Sequence, residues 1–275
     1  MSDRGSEMEL TKAEVVSAVE RQRARSMDLL RPLTDDQWNT TALPGWRVRE
    51  VVGHLVSTDE GALTGRMLRM GVRPTDDGGL AAVEAWNEEQ VHRWSDRPPA
   101  EILAGLEKWG RRIVRTFKAT PGVVLRRRVP LPFGKVPLQY LGELRVLDEW
   151  VHEQDIRRAL TLEAAPDLVS IAAAARMMIN VVPHQTPIRI PDGAKGSVSL
   201  TFDGADVPPL FCDLSSKTFR LDGGAVDATI TARAAEIVMV AAGRDPWRDQ
   251  ESAGAIKIQG DRTAAETLLD ALRAA

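Results

Sequence analysis

One cysteine, Cys212, in 275 residues excludes an internal disulfide, so the core rather than a covalent framework has to hold the fold. No sign of charge dominates: 36 Lys and Arg against 39 Asp and Glu give a formal net charge of −3. Without an overall electrostatic drive toward phosphate backbones or anionic lipid, nucleic acid is not an expected partner. Long apolar runs are missing too. The most apolar stretch, Leu168 to Ala175, is cut by Arg176 well short of the roughly 20 residues a membrane helix needs, so no membrane span is expected. The first residues, MSDRGSEMEL, lack the apolar core of a signal peptide, which together with the single cysteine points to a reducing cytoplasm. Repeats and low-complexity segments are absent. What the chain does have is 43% hydrophobic residues, enough for a sizeable core, and a length slightly beyond one domain. Two domains are expected, 1–165 and 166–275.

Up to about residue 162 the apolar spacing is helical. Thr11-Lys-Ala-Glu14 and Thr34-Asp-Asp-Gln37 read as capping boxes, the first opening a helix that runs toward Arg31. A loop over 40–45 follows, and then a helix from Val48 in which Val51, Val52, Leu55 and Val56 share one face. Further helices are expected over 80–94, 99–117 and 138–160, with the Pro- and Gly-bearing stretch 129–137 as one irregular loop. After Pro166 the period changes. A helix near 168–182 precedes strands at 197–202, 210–214, 218–221 and 225–231, with Asp222-Gly-Gly224 as a hairpin turn. A helix at 232–241, a strand at 256–258 and an Asp261-capped terminal helix complete an α+β domain.

Four histidines occur, and His54 and His152 fall on the most regular helices. Asp148 precedes His152 by four residues, which places both side chains on one helical face a turn apart, and Arg145 and Asp155 share that stripe. With His54 as a third donor from another helix, this is a ligand set that leaves a position open for water, the pattern of catalytic rather than structural zinc. The same spacing also describes a solvated helix face and a hydrogen-bonded core histidine, and spacing alone leaves both readings open. Glu149 and Asp155 stand as alternative third ligands.

The segment Leu43-Pro-Gly-Trp-Arg-Val-Arg-Glu-Val-Val-Gly-His-Leu55, with Leu147-Asp-Glu-Trp-Val-His-Glu-Gln-Asp-Ile-Arg157 much later, resembles the mycothiol-dependent maleylpyruvate isomerase family of actinobacteria. The resemblance covers nearly the whole chain. It implies a DinB-like four-helix bundle followed by a small α+β domain resembling sterol carrier protein, and metal ligands at His54, Asp148 and His152. Position 148 is Asp here, where the isomerase carries Glu; one methylene shorter, it remains a hard oxygen donor. The resemblance further implies a divalent metal, zinc by expectation, and mycothiol as thiol cosubstrate for isomerisation or S-transfer on a small electrophilic metabolite.

A nucleophile supplied by the cosubstrate suits a chain whose lone Cys212 reads as a small buried hydrophobe. Two further residues are candidates for the chemistry. Asp155 could orient His152, and Arg244, in Ala242-Gly-Arg-Asp-Pro246, resembles in its placement an arginine of the family's second domain that could reach a substrate carboxylate; the alternatives are a solvated acid and a charge matched to a helix C-terminus. Trp46 is expected to pack as a hydrophobic staple, and Arg126 to Arg128 to be solvated. A different class of function stays open, a non-catalytic small-molecule binding protein whose metal site is vestigial or absent.

Overall fold

The structure, a computed structural model, describes residues 11–66, 80–131 and 134–273. They fall into two compact units, Thr11–Pro166 and Asp167–Ala275.

The first unit runs α1 (Lys12–Leu30), α2 (Asp35–Trp38), β1 (Thr41–Leu43), β2 (Trp46–Arg47), α3 (Val48–Thr64), α4 (Leu80–His92), α5 (Pro99–Ala119), α6 (Gly122–Leu125), β3 (Arg128–Leu131), β4 (Gly134–Pro137) and α7 (Tyr140–Ala159). Both capping boxes form: Thr11 and Thr34 accept from the backbone N–H groups of Glu14 and Gln37, whose side chains return the bond. The long helices α1, α3, α5 and α7 make the bundle, with α4 against α3. Its core gathers Leu30, Trp38, Val48, Val51, Val52, Leu55, Val56, Trp94, Ile102, Leu106 and Ile156, all buried. Each such aliphatic side chain contributes about 1.5–3 kcal/mol. The helical face read at Val51, Val52, Leu55 and Val56 is therefore the face that fixes α3 and aims His54, on the same turn.

Two stretches expected as loops are paired strands. Residues 40–45 contribute to the β1–β2 ribbon, with Gly45 at φ +80° between the strands. Residues 129–137 lie mostly in an antiparallel hairpin with Val129 opposite Val136, its two tip residues being outside the described set. Pro130 did not prevent the pairing because in a two-stranded ribbon every strand is an edge, where a missing N–H is tolerated.

The second unit contains α8 (Leu168–Gln185), a 3-10 turn (Pro187–Arg189), β5 (Ser197–Asp203), β6 (Leu210–Asp213), β7 (Thr218–Arg220), β8 (Ala228–Arg233), α9 (Ala234–Ala241), α10 (Trp247–Ser252), β9 (Ile256–Gly260) and α11 (Arg262–Ala271). The sheet order is β7-β6-β5-β8-β9. Helices α9 and α11 pack on the central strands, and α8 packs on α9. Val198, Leu200 and Phe202 are buried, as their alternation predicts.

Asp222-Gly-Gly224 is not a hairpin turn. β7 pairs with β6 while β8 pairs in parallel with β5, so this segment carries the chain from the sheet edge to the far side of β5. Glycine at 223 is demanded by close approach: a Cβ there would lie 2.2 Å from the Phe211 ring. Among the described residues, no helix is long and apolar enough to cross a membrane.

Candidate metal centre

Helix α3 delivers His54 and helix α7 delivers Asp148 and His152, a turn apart; both imidazoles are buried and Asp148 is partly open. The Nε2 atoms of His54 and His152 stand 3.4 and 3.5 Å from the same oxygen, Asp148 Oδ1. A ligand atom from each of the three lies within 4.8 Å of the others, the arrangement of residues able to hold a metal ion.

These distances bear on what the three groups do. A hydrogen bond from imidazole to an ionised carboxylate closes to about 2.7–2.9 Å, shorter than either contact. Neighbouring ligands of a tetrahedral ion, at bond lengths of about 2.0–2.1 Å, sit about 3.3 Å apart, close to both. Both contacts are nearer that ligand-to-ligand spacing than the length of a close imidazole–carboxylate hydrogen bond.

The surroundings fix the donors in the states a metal requires. His152 Nδ1 meets Asp155 Oδ2 at 2.9 Å, and with Nδ1 protonated the lone pair of Nε2 faces Asp148 and His54. Burial pushes the His54 pKa below its ordinary value in spite of Asp148 alongside, so at neutral pH the imidazole is uncharged and able to ligate. Burial would raise the Asp148 pKa, but His54 in its protonated form and the Arg145 guanidinium outweigh it and hold the carboxyl well below the usual range; with His54 uncharged at neutral pH, Arg145 is the cation beside it. Arg145 Nη1 takes the second oxygen, Oδ2, which leaves Oδ1 for the histidines.

Arg145 is itself anchored. Its Nε donates to Asp59 Oδ1 at 2.8 Å, and Asp59, fully buried on α3, accepts from Arg23 Nη2 of α1 at 2.7 Å. Arg23 Nη2 also meets Glu149 at 2.9 Å. This chain of buried charges joins three helices behind the site, and it engages Glu149 with Arg23 rather than with the histidines. Asp155 is likewise spent on His152, so neither alternative third ligand belongs to the clustered set.

Trp46, on β2, is more than a staple. It packs against the core, yet its ring centroid also lies 5.5 Å from that of His54 and 6.5 Å from that of His152. Its Nε1 donates to Glu88 Oε1 on α4 at 3.1 Å. Sequence reading missed this wall and missed Asp59. The available clues were a tryptophan eight residues before His54, and an acid four residues after the core residue Leu55 on the same helical face.

Arg244 belongs to the second unit, where its Nη1 donates to the carbonyl of Ala242 at the end of α9, 2.9 Å away. Arg126, Arg127 and Arg128 are exposed. Cys212 is buried, and burial together with Asp213 pushes its thiol pKa up to about 12.

A helical bundle with a two-histidine, one-carboxylate cluster, joined to an α+β unit, defines a class of candidate metal-dependent proteins. The mycothiol maleylpyruvate isomerase N-terminal domain family matches residues 19–157, half of the chain, and the chain belongs to that family. In fold it is similar to the crystal structure of the mycothiol-dependent maleylpyruvate isomerase, with a TM-score of 0.56 and 18% identity over 92% of this chain and 95% of that one. A histidine-to-alanine mutant of that isomerase matches with the same TM-score and coverage at 17% identity. A sterol carrier protein 2 like 2 from Aedes aegypti matches over 34% of this chain and 96% of its own, with a TM-score of 0.29 and 17% identity. No curated protein sequence matches the chain.

Proposed function

We propose that the protein is a metal-dependent enzyme that uses mycothiol as thiol cosubstrate, for isomerisation of or S-transfer to a small electrophilic metabolite. The observation that carries this reading is the convergence of His54 Nε2, His152 Nε2 and Asp148 Oδ1 at ligand-to-ligand distances. Three protein donors suit zinc with one position left open. When bound, a divalent cation supplies the positive charge that keeps a thiol deprotonated at neutral pH.

This chain's residues do the rest. His54, Asp148 and His152 hold the ion; Asp155 is a positioning residue that fixes the His152 tautomer; Arg145 steers Asp148 by taking its other oxygen. Trp46 forms an apolar wall beside both imidazoles. Arg244 is proposed to meet an anionic part of the electrophile. The chain offers no competing nucleophile at Cys212, which stays protonated at neutral pH. In the isomerase case the cosubstrate sulfur adds to an activated double bond, the new single bond rotates, and the same C–S bond breaks to release thiol and isomer. In the transfer case the C–S bond stays and a leaving group departs with its electron pair.

Thermal unfolding with mycothiol tests the reading. Metal-loaded protein should gain several degrees from millimolar mycothiol and chelated protein should gain none. Equal shifts with and without metal would leave a binding protein in place of the enzyme.

A further inference from the structure

Residues 108–142 carry nine Lys and Arg and no Asp or Glu, in a chain whose acids outnumber its Lys and Arg. The five on α5, Lys108, Arg111, Arg112, Arg115 and Lys118, are exposed, and so are Arg126 to Arg128. Charge of one sign is thus concentrated on a chain that is acidic overall. Screening over about 8–10 Å keeps distant acids from cancelling it.

The secondary structure gathers these cations into two adjoining groups. On α5 they recur every three or four residues, while Ile102, Leu106, Ile113 and Phe117 turn the other side of the helix into the core. Pro121 starts the next turn, and Leu125 of α6 is buried at the end of α5, where it walls a small cavity with Phe117 and Thr120. Val123, on the other side of that turn, is 65% exposed. The N–H groups of Arg126 and Arg127 donate to Gly122 O at 3.1 Å and Val124 O at 3.0 Å, so the helical turn carries on through them. Both arginines therefore stand three and four residues beyond Val123, on its face.

Few of these charges are answered within the fold. Arg111 meets Glu107 at 2.8 Å and Lys118 meets Glu20 at 2.6 Å, in pairs open to water that contribute little. Lys108 Nζ and the Arg112 guanidinium lie 5.0 and 4.7 Å from the centroid of the Trp109 ring. Arg115, Arg126 and Arg127 have no hydrogen-bond or ion-pair partner among the described residues.

We propose that this surface docks the protein on an anionic phospholipid bilayer, with the cations among the headgroup phosphates and Val123 entering between them. Charge complementarity supplies the attraction. Val123 favours lipid over nucleic acid, because an aliphatic tip beside cations gains by entering a headgroup layer and meets no counterpart along a phosphate backbone. Trp109, engaged by two cations and packed against the core, is not open for stacking on bases. With one exposed valine in place of a span, the attachment is reversible and sensitive to salt. It does not depend on the function proposed above.

Co-sedimentation of the full-length protein with large vesicles tests this. Phosphatidylcholine vesicles containing about 30% phosphatidylserine are compared with phosphatidylcholine alone, at low salt and at about 0.5 M NaCl. The anionic vesicles should be bound at least tenfold more tightly at low salt and released at high salt. Each cation near such a surface contributes about fivefold in affinity, so an Arg115→Gln, Arg126→Gln, Arg127→Gln triple variant should bind at least tenfold more weakly. Val123→Ser should also bind more weakly, by about threefold. All four positions are exposed, so both variants should unfold at the wild-type temperature. A preference for anionic vesicles under tenfold, a triple variant within tenfold of wild type, or binding that survives high salt would overturn the proposal. So would displacement from the vesicles by duplex DNA at equal phosphate concentration, which would assign the surface to nucleic acid.

Discussion

Asp148 shows how much one carboxylate does through having two oxygens. Oδ2 answers Arg145 and Oδ1 faces both histidines, so a neutral isostere removes charge from both partners at once. Asp148→Asn should lower metal affinity by at least tenfold in competition with a chelator, whereas Asp148→Glu, which keeps the charge and adds a methylene, should retain the metal. Wild-type affinity in Asp148→Asn would reduce Asp148 to a helix residue paired with Arg145. Asp155 acts one step further out, through the 2.9 Å contact with His152 Nδ1. Second partners of metal-bound imidazoles typically contribute roughly 10–100-fold in affinity. Asp155→Asn should therefore bind metal more weakly by about that factor while unfolding near the wild-type temperature, and unchanged affinity would remove its positioning role.

Among elements, the seam of α1, α3 and α7 is where a polar network replaces apolar packing. Asp59 is fully buried between Arg23 and Arg145. Deleting one member of a buried ion pair typically costs about 3–5 kcal/mol, because a charge is left in the interior. Asp59→Ala should lose about 3 kcal/mol or more in urea unfolding; a loss under 1 kcal/mol would mean that water reaches the two arginines. The helices on either side were legible in sequence because caps and apolar stripes are local: Thr11 with Glu14, and Val51, Val52, Leu55 and Val56 on one face. So was the pairing of His54 with the Asp148 and His152 turn, through the resemblance of the two segments that carry them. The β3–β4 hairpin and the crossover at Asp222-Gly-Gly224 were not, since strand partners are chosen by distant residues and a glycine required by Phe211 looks in sequence like a glycine required by a turn. Trp46 and Asp59 escaped for the same reason. Each gains its role from residues on other elements.

Over the whole molecule, the proposed function divides the work between a bundle that holds a metal and a cosubstrate that brings the nucleophile. Cys212 lies in the sheet of the second unit with its thiol pKa raised to about 12. Cys212→Ser should therefore keep thiol-dependent activity within about twofold, and thiol reagents, which the native wild type resists, should label the denatured wild type but not the denatured variant. A folded but inactive Cys212→Ser protein would move the nucleophile onto the chain. Everything in this function depends on the proposed ion between α3 and α7, which metal analysis of purified protein measures directly. About one divalent ion per chain is expected in the wild type, and loss of that ion in a folded His54→Ala, His152→Ala double variant. Stoichiometric metal retained by the double variant would contradict it.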